Sequence, residues 1–440
     1  MMEVKPFKAF RFNTAAVGDV GSCIAPPYDV ISRTQQQMLY EKSEYNIVRI
    51  TKGKTASSDT ADNNPYTRAA NYLNDWIKKG ILKQDQAEAI YAYIQDFHLS
   101  RAQFRRSSFI ALAKLEEFSP KGRVMPHEQT LNKPKVDRLN LKRATAADFG
   151  LPLLLYEDEQ KIADKIIEKA AGQKPLMDFV DEQDVRHRLF AIIAKRDIGA
   201  ITKMMLDKGC IIADGHHRYE TALTYSKETA NPAAAYRMMA FTNTLHEGLV
   251  ILATHRLVGN LRDFDAAKLI TSLKENFEIT EYKFGPRPGD KTAAKQKMLA
   301  QMKTQYDNDK IAFGIYAGNN AFCTAVLKNK QAMNSVASNM SLHWRTLDVS
   351  VLHKLILEKL LGIGEKQLAD GNNLEYIKDT DNAIDESIAK VDSGQKQAAF
   401  FTNPVKMQQI KMVTAVGEKM PQKSTYFYPK IYSGLTINKL

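Results

Sequence analysis

Apolar positions along the chain switch between a period of two and a period of three to four, outlining a mixed succession of strands and helices. Residues 3–12 alternate, with Val4, Phe7, Ala9, Phe10 and Phe12 as the apolar set, and predict a strand. Two prolines in Ile24-Ala25-Pro26-Pro27-Tyr28-Asp29-Val30-Ile31 forbid a helix and enforce a rigid, extended entry. Ser32 then caps a helix running through Gln37 and Tyr40. Residues 53–65 are polar and rich in turn formers, so they read as an exposed loop. Pro65-Tyr66 opens an amphipathic helix with Ala69, Leu73, Trp76 and Ile77 on one face, closed by Gly80.

The segment 89–97 predicts a strand and Phe104 to Leu115 a second, with Arg101, Arg105 and Arg106 in the turn between them. Val124 to Thr130 reads as a polar, proline-containing loop. A helix follows from about Lys135 to Ala147, then an apolar run from Leu151 to Tyr156. Another short apolar stretch covers Leu189 to Ala194, and a helix ends before Gly209. Cys210-Ile211-Ile212-Ala213 has the length and apolarity of a buried strand, which Asp214-Gly215 breaks before a helix from Tyr219 to Lys227. Further strands fall at 241–244, 248–252, 311–316 and 322–327, and helices at 264–276, 291–306 and 348–360. Strands and helices intermix without a strict βαβ rhythm, which predicts an α+β or mixed α/β fold. A length of 440 residues gives two or three domains, divided as an N-terminal region 1–260 and a C-terminal region 261–440. The polar stretches 53–65 and 284–293 are the most exposed cut points.

Composition adds an anion preference. Sixty-two basic and 50 acidic side chains leave a net charge of +12, which favours nucleotides, phosphorylated metabolites or nucleic acid. The basic residues are scattered, as in Lys133, Lys135, Arg138, Lys142 and Arg143, and form no dense block. Cys23, Cys210 and Cys323 are far apart and odd in number, which argues against a disulfide framework or a cysteine metal site. No apolar run approaches the roughly 18 residues of a membrane span, and the N-terminus has no apolar signal region, so a cytoplasmic location is expected.

The strongest chemical candidate is Asp214-Gly215-His216-His217-Arg218, between the buried strand and the helix. Gly215 allows the turn, the helix start offers free N–H groups to an anion, and Arg218 can fork onto phosphate oxygens. His216 and His217 can donate further hydrogen bonds, and Asp214 can hold Mg²⁺ or accept a hydroxyl proton. The plain alternative is a capped helix with two surface histidines. A second candidate joins His127 and Glu128, on the loop with Thr130, to Lys135, Asp137 and Arg138. A third is Tyr28 with Asp29, fixed by Pro26 and Pro27. Lys423-Ser424-Thr425 with Lys430 can reach an anion, but no glycine-rich loop precedes them.

Five strings carry a resemblance across essentially the whole chain: Ala25 to Val30, Pro126-His127-Glu128 with Thr130, Ala213 to Ala222, Thr254 to Val258, and Lys423 to Lys430. Together they resemble the bacterial and archaeal domain-of-unknown-function family 1015, which brings no activity with it. The Asp-Gly-His-His-Arg string is also similar to the signature of the ParB/sulfiredoxin superfamily, which includes nucleotide- and DNA-binding partition proteins, sulfiredoxins and kinases of free serine. That resemblance implies a ParB/sulfiredoxin-like nucleotide-binding core with additional α+β domains. It implies phosphate binding by Gly215, His216, His217 and Arg218, supported by Thr221 and Arg138, and an acidic role for Asp214. Asp29 and Glu128 are the candidates for a further catalytic carboxylate, His127 for a proton acceptor, and Asp214 and Glu128 for Mg²⁺. His216 stands where sulfiredoxins need cysteine, which argues against sulfinic acid reduction.

The expected function is a nucleotide-dependent phosphotransferase, in the kinase or phosphatase direction, using ATP, ADP or CTP with Mg²⁺ on a small hydroxyl metabolite such as serine or phosphoserine. The alternative is a ParB-like, nucleotide-switched DNA-binding or partition protein without small-molecule turnover, although no helix-turn-helix follows Lys227. A third option is a nucleotide-binding structural protein.

Overall fold

The structure is a computed structural model that describes residues 1–99, 102–119, 122–129 and 132–440. Arg101 and Thr130 lie outside the described residues, and so does the Lys133 side chain. The fold is α+β, with two compact units. The first comprises Met1–Pro126, Thr130–Val250 and Phe427–Leu440; the second comprises His127–Gln129 and Ile251–Tyr426. The C-terminal fourteen residues thus return to the first unit.

The first unit is built on a nine-stranded mixed sheet. Its strands are β1 (Val4–Lys5), β2 (Ile90–Leu99), β3 (Ala102–Lys114), β4 (Val124–Pro126), β5 (Leu153–Tyr156), β6 (Met177–Val180), β7 (Arg186–Ile192), β8 (Cys210–Asp214) and β9 (Tyr236–Asn243). Their order is β4-β8-β5-β9-β3-β2-β7-β6, with β1 paired to the end of β3. β4 runs parallel to β8, and β5 parallel to β9; the other neighbours are antiparallel. The longer helices of this unit are α1 (Arg33–Lys42), α2 (Pro65–Lys78), α3 (Asn132–Thr145), α4 (Ile162–Ala171), α5 (Lys195–Met205) and α6 (His216–Glu228).

Strand alternation separates two chemistries. Ile90, Ala92 and Ile94 of β2, with Phe109, Ala111 and Ala113 of β3, join Ile167, Ile201, Met205 and Tyr219 from the helices in one apolar core. The alternate positions are buried as well, and mix polar Tyr91, Tyr93, Gln95, Arg106 and Ser108 with apolar Phe97, Ile110 and Leu112. The C-terminal segment satisfies part of that polar set. Arg106 donates to the carbonyls of Tyr428 and Pro429, and Gln95 donates to that of Lys430.

Several expectations match the described elements. Ser32 caps α1 in a capping box with Gln35, and Asn64 with Pro65 starts α2, whose buried face is Ala69, Leu73 and Trp76. Others need correction. The expected strand over 3–12 is interrupted, because Pro6 lacks the N–H that a continuous ladder requires; Val4–Lys5 and Phe10–Phe12 pair separately. Arg105 and Arg106 lie within β3 and not in a turn, and Arg106 is fully buried. Val124 to Pro126 is an edge strand, a place where proline is tolerated, and not a loop.

The second unit holds a six-stranded sheet whose described pairings are antiparallel. Its strands are β10 (Thr254–Val258), β11 (Phe277–Lys283), β12 (Ala312–Tyr316), β13 (Ala321–Leu327), β14 (Leu374–Lys378) and β15 (Ala398–Thr402), in the order β11-β13-β12-β15-β10-β14. Met298 and Met302, on the helix α7 (Asp290–Asp307), pack with Leu257, Phe322 and Phe401 in its core. The helix expected over 348–360 changes character midway: Asp348–Val351 is α-helical and Leu352–Glu358 is π-helical. Among the described residues, no helix is long and apolar enough to cross a membrane.

Candidate functional site

β8 is wholly apolar until its last residue, which delivers Asp214 to the end of a buried strand. Gly215 follows with φ +84° and turns the chain directly into α6, so the helix begins at His216, three residues before the Tyr219 start expected from the sequence. The Tyr219 N–H donates to the Gly215 carbonyl at 3.0 Å. A Cβ on Gly215 would stand 2.9 Å from Arg218 Nε and 3.0 Å from its Cζ and Nη2. Glycine is therefore required twice, for the left-handed backbone and for the guanidinium lying over it. Gly215→Ala is expected to cost about 1–2 kcal/mol from backbone strain alone and to displace Arg218. Urea unfolding followed by Trp76 fluorescence in a Trp344→Phe background checks this; a midpoint equal to that of the parent contradicts it.

Asp214 is held between two cations. One carboxylate oxygen accepts from Arg218, and the other accepts from Lys430 Nζ at 2.5 Å. Burial by itself would raise the Asp214 carboxyl, but Lys430, Arg218 and His216 overcome it and hold the group far below the usual carboxylate range. A carboxylate so acidic has little affinity for a substrate proton, and both of its oxygens are occupied. Both oxygens of Asp214, the expected proton acceptor and Mg²⁺ ligand, are thus engaged by Arg218 and Lys430. His216 is buried and His217 half-buried, so neither is the exposed surface histidine of the plain alternative.

Beside α6 lies a small, open cavity of about 50 Å³, lined in part by Tyr28, Arg138, Lys142, Asp148, Arg218, Thr221 and Arg237. Arg138, on α3, stacks its guanidinium 4.0 Å from the centre of the Tyr28 ring and donates to the Thr51 carbonyl at 2.7 Å. Arg218 also donates to the Leu151 carbonyl at 2.8 Å. At the base of the cavity Asp148 accepts from Lys142 at 2.7 Å and from Arg237. Burial opposes ionisation of Asp148, and Arg237 and Lys142 outweigh it, so its carboxyl is lowered. Burial, then the Asp29 charge, pushes the Tyr28 phenol up to about 12, so it stays a neutral donor. Three buried polar atoms of this lining have no hydrogen-bond partner: Thr221 Oγ1, Asp148 Oδ2 and Arg237 Nε.

The sequence candidates divide between the units. Tyr28, Arg138, Arg218 and Thr221 meet at the cavity, and Asp29 follows Tyr28 on an exposed turn. Lys52 fastens that turn by donating to the carbonyls of Tyr28 (2.8 Å) and Ile31. His127 and Glu128 belong to the second unit. His127 is not on an accessible loop: it is fully buried, with Nε2 2.8 Å from Thr425 Oγ1. Glu128 accepts from the Lys423 N–H at 2.9 Å. Asp214 and Glu128, the two candidates for Mg²⁺, fall in separate units. Among the described residues, no three His, Cys, Asp or Glu side chains cluster as metal ligands.

Sequence reading passed over Arg237, Asp148 and Arg106. Asp148 and Arg237 are 89 positions apart, and only the sheet brings them together. A lone charged residue in a largely buried strand, as Arg237 is within Tyr236–Asn243, was the available signal.

No curated protein matches the chain. Among solved structures, the chain is similar to a free serine kinase in complex with AMP at 14% identity and a TM-score of 0.33, covering 71% of this chain and 89% of that one. It is similar to a conserved hypothetical protein from Pyrococcus furiosus at 13% identity and a TM-score of 0.31, covering 70% and 90%. It is also similar to SbnI with C-terminal truncation from Staphylococcus aureus at 10% identity and a TM-score of 0.32, covering 70% and 81%. Residues 4–350 match the family described as protein of unknown function (DUF1015), and the chain belongs to that family.

Proposed function

We propose that the cavity of the first unit binds the phosphate groups of a nucleotide, and that the protein transfers a phosphoryl group between that nucleotide and the hydroxyl of a small metabolite, with serine and phosphoserine as first candidates. The observation that carries this reading is the unpartnered Thr221 hydroxyl in a cavity whose charged lining is Arg138, Lys142, Arg218 and Arg237 against Asp148 alone. A buried polar group without a partner costs about 1–3 kcal/mol. A phosphate oxygen accepting from Thr221 Oγ1 and Arg237 Nε recovers that cost, and the surplus cations balance its charge.

In the kinase direction, the metabolite oxygen bonds to the terminal phosphorus while the bond from that phosphorus to the leaving diphosphate breaks. The hydroxyl proton passes to Asp29, the exposed carboxylate on the clamped turn beside Tyr28. With water as acceptor, the same parts serve hydrolysis. Arg138, Arg218 and Arg237 stabilise the charge that shifts onto the leaving oxygens.

The DNA-binding alternative needs an extended basic face. Along α3, however, Lys135 pairs with Glu220 at 2.5 Å, Arg138 with Asp137 at 2.5 Å, Lys142 with Asp148 at 2.7 Å and Arg143 with Glu228 at 2.7 Å. Spaced singly along one helix among acidic neighbours, these cations form no extended stripe for a phosphate backbone.

Incubation with ATP, ADP or CTP and a panel of small hydroxyl metabolites, following phosphate transfer, tests turnover. Thr221→Val tests the site. Because the hydroxyl has no partner, its loss is expected to leave stability unchanged or raised, while nucleotide affinity falls roughly threefold to tenfold. Affinity equal to wild type would contradict the assignment.

A further inference from the structure

The second unit has its own cavity, of about 330 Å³, which the proposed phosphotransfer does not use. Trp344, Met340 and Ile363 supply apolar wall, and Trp344 is fixed by donating from Nε1 to the Lys419 carbonyl at 3.1 Å. The charged side chains of the lining balance: Lys354 pairs with Glu358 at 2.6 Å, and Lys419 is matched in number by Glu365. One wall is the π-helical segment Leu352–Glu358, where Lys359 N–H reaches the Lys354 carbonyl five residues back at 3.2 Å. Such widened turns are uncommon and recur at functional sites. This one carries His353, more than nine-tenths buried, which lines the cavity and whose Nε2 has no hydrogen-bond partner.

From this geometry we infer that the cavity is a second ligand site, taking an uncharged, flat, mainly apolar small molecule whose one hydrogen-bonding group pairs with His353 Nε2. The balanced lining gives a net charge on the ligand no counterpart, in contrast to the cationic cavity of the first unit. The size suits a molecule of a few fused rings. An unpartnered buried imidazole nitrogen is a standing cost that such a ligand removes. Burial first, then the charges of Arg256 and Lys354, push the His353 imidazole down to about 3, so near neutral pH it is uncharged, as the ligand is.

Benzimidazole, which is flat and uncharged near neutral pH and has one donor and one acceptor, is a suitable probe. The chain has two tryptophans, so Trp76→Phe leaves Trp344 as the reporter. Titration of the full chain is expected to change Trp344 fluorescence saturably. Affinity is expected to fall roughly threefold to tenfold in His353→Leu, which loses the hydrogen bond. It is expected to fall also in Ala337→Leu, which keeps the histidine and fills part of the cavity. A response that does not saturate, or unchanged affinity in either variant, overturns the inference. Nucleotide binding by the first unit is a separate measurement, so failure here leaves that reading standing.

Discussion

Asp148→Asn is expected to destabilise the first unit by about 3–5 kcal/mol, among the largest effects of any single substitution in the chain. The Asp148 side chain is fully buried, and its partners are nearly so, with 6% exposure for Lys142 and 7% for Arg237. Asparagine keeps the shape and one acceptor oxygen but removes the charge. Two buried cations then face one another without a counter-ion, in a cavity that already holds Arg138 and Arg218. Burial lowers the proton affinity of Lys142, which gives the variant one escape, since the amine can shed its proton. That release should appear as greater proton loss on folding than in wild type, and as a steeper gain in stability as pH rises toward the unfolded lysine range. Urea unfolding monitored by Trp76, in a Trp344→Phe background, isolates this unit; a loss below about 1 kcal/mol would mean that the ion cluster is not the keystone described here.

The fold and the site were legible to different depths. The strand–turn–helix around Asp214 could be read because its signals are local. Cys210 to Ala213 is too short and too apolar for anything but a buried strand, and Gly215 ends it. The α1 and α2 starts were legible for the same reason, since Ser32 and Pro65 signal a helix start locally; the partners Gln35 and Asn64 emerge from the structure. Reading failed where long-range partners decide. Arg106 looks like a turn charge, yet its partners are Gln95 and two carbonyls more than 300 residues away. His127 looks exposed beside a proline, yet Thr425 and the residues around it bury it. Lys430 drew notice only as a possible anion contact. Its actual partner, Asp214, depends on Arg106 and Gln95 holding the C-terminal backbone in place.

Arg218→Ala carries the second large expectation. Arg218 connects the Asp214 carboxylate, the Leu151 carbonyl and the cavity where Thr221 waits without a partner. Removing it takes one cation from the phosphate site and leaves Lys430 paired with Asp214, so Asp214 keeps a counter-ion and the fold survives. Charge-assisted hydrogen bonds contribute about 1.5–3 kcal/mol each, which corresponds to roughly a 10-fold to 100-fold loss of nucleotide affinity. Arg218→Lys should recover only part of that loss, because an ammonium lacks the planar fork.

Calorimetric titration of ADP into wild type and Arg218→Ala, with circular dichroism to confirm that both are folded, addresses the phosphate site most directly. The expected result is saturable binding at one site in wild type and affinity at least tenfold weaker in the variant. No binding to wild type, or equal affinity in the folded variant, would contradict it.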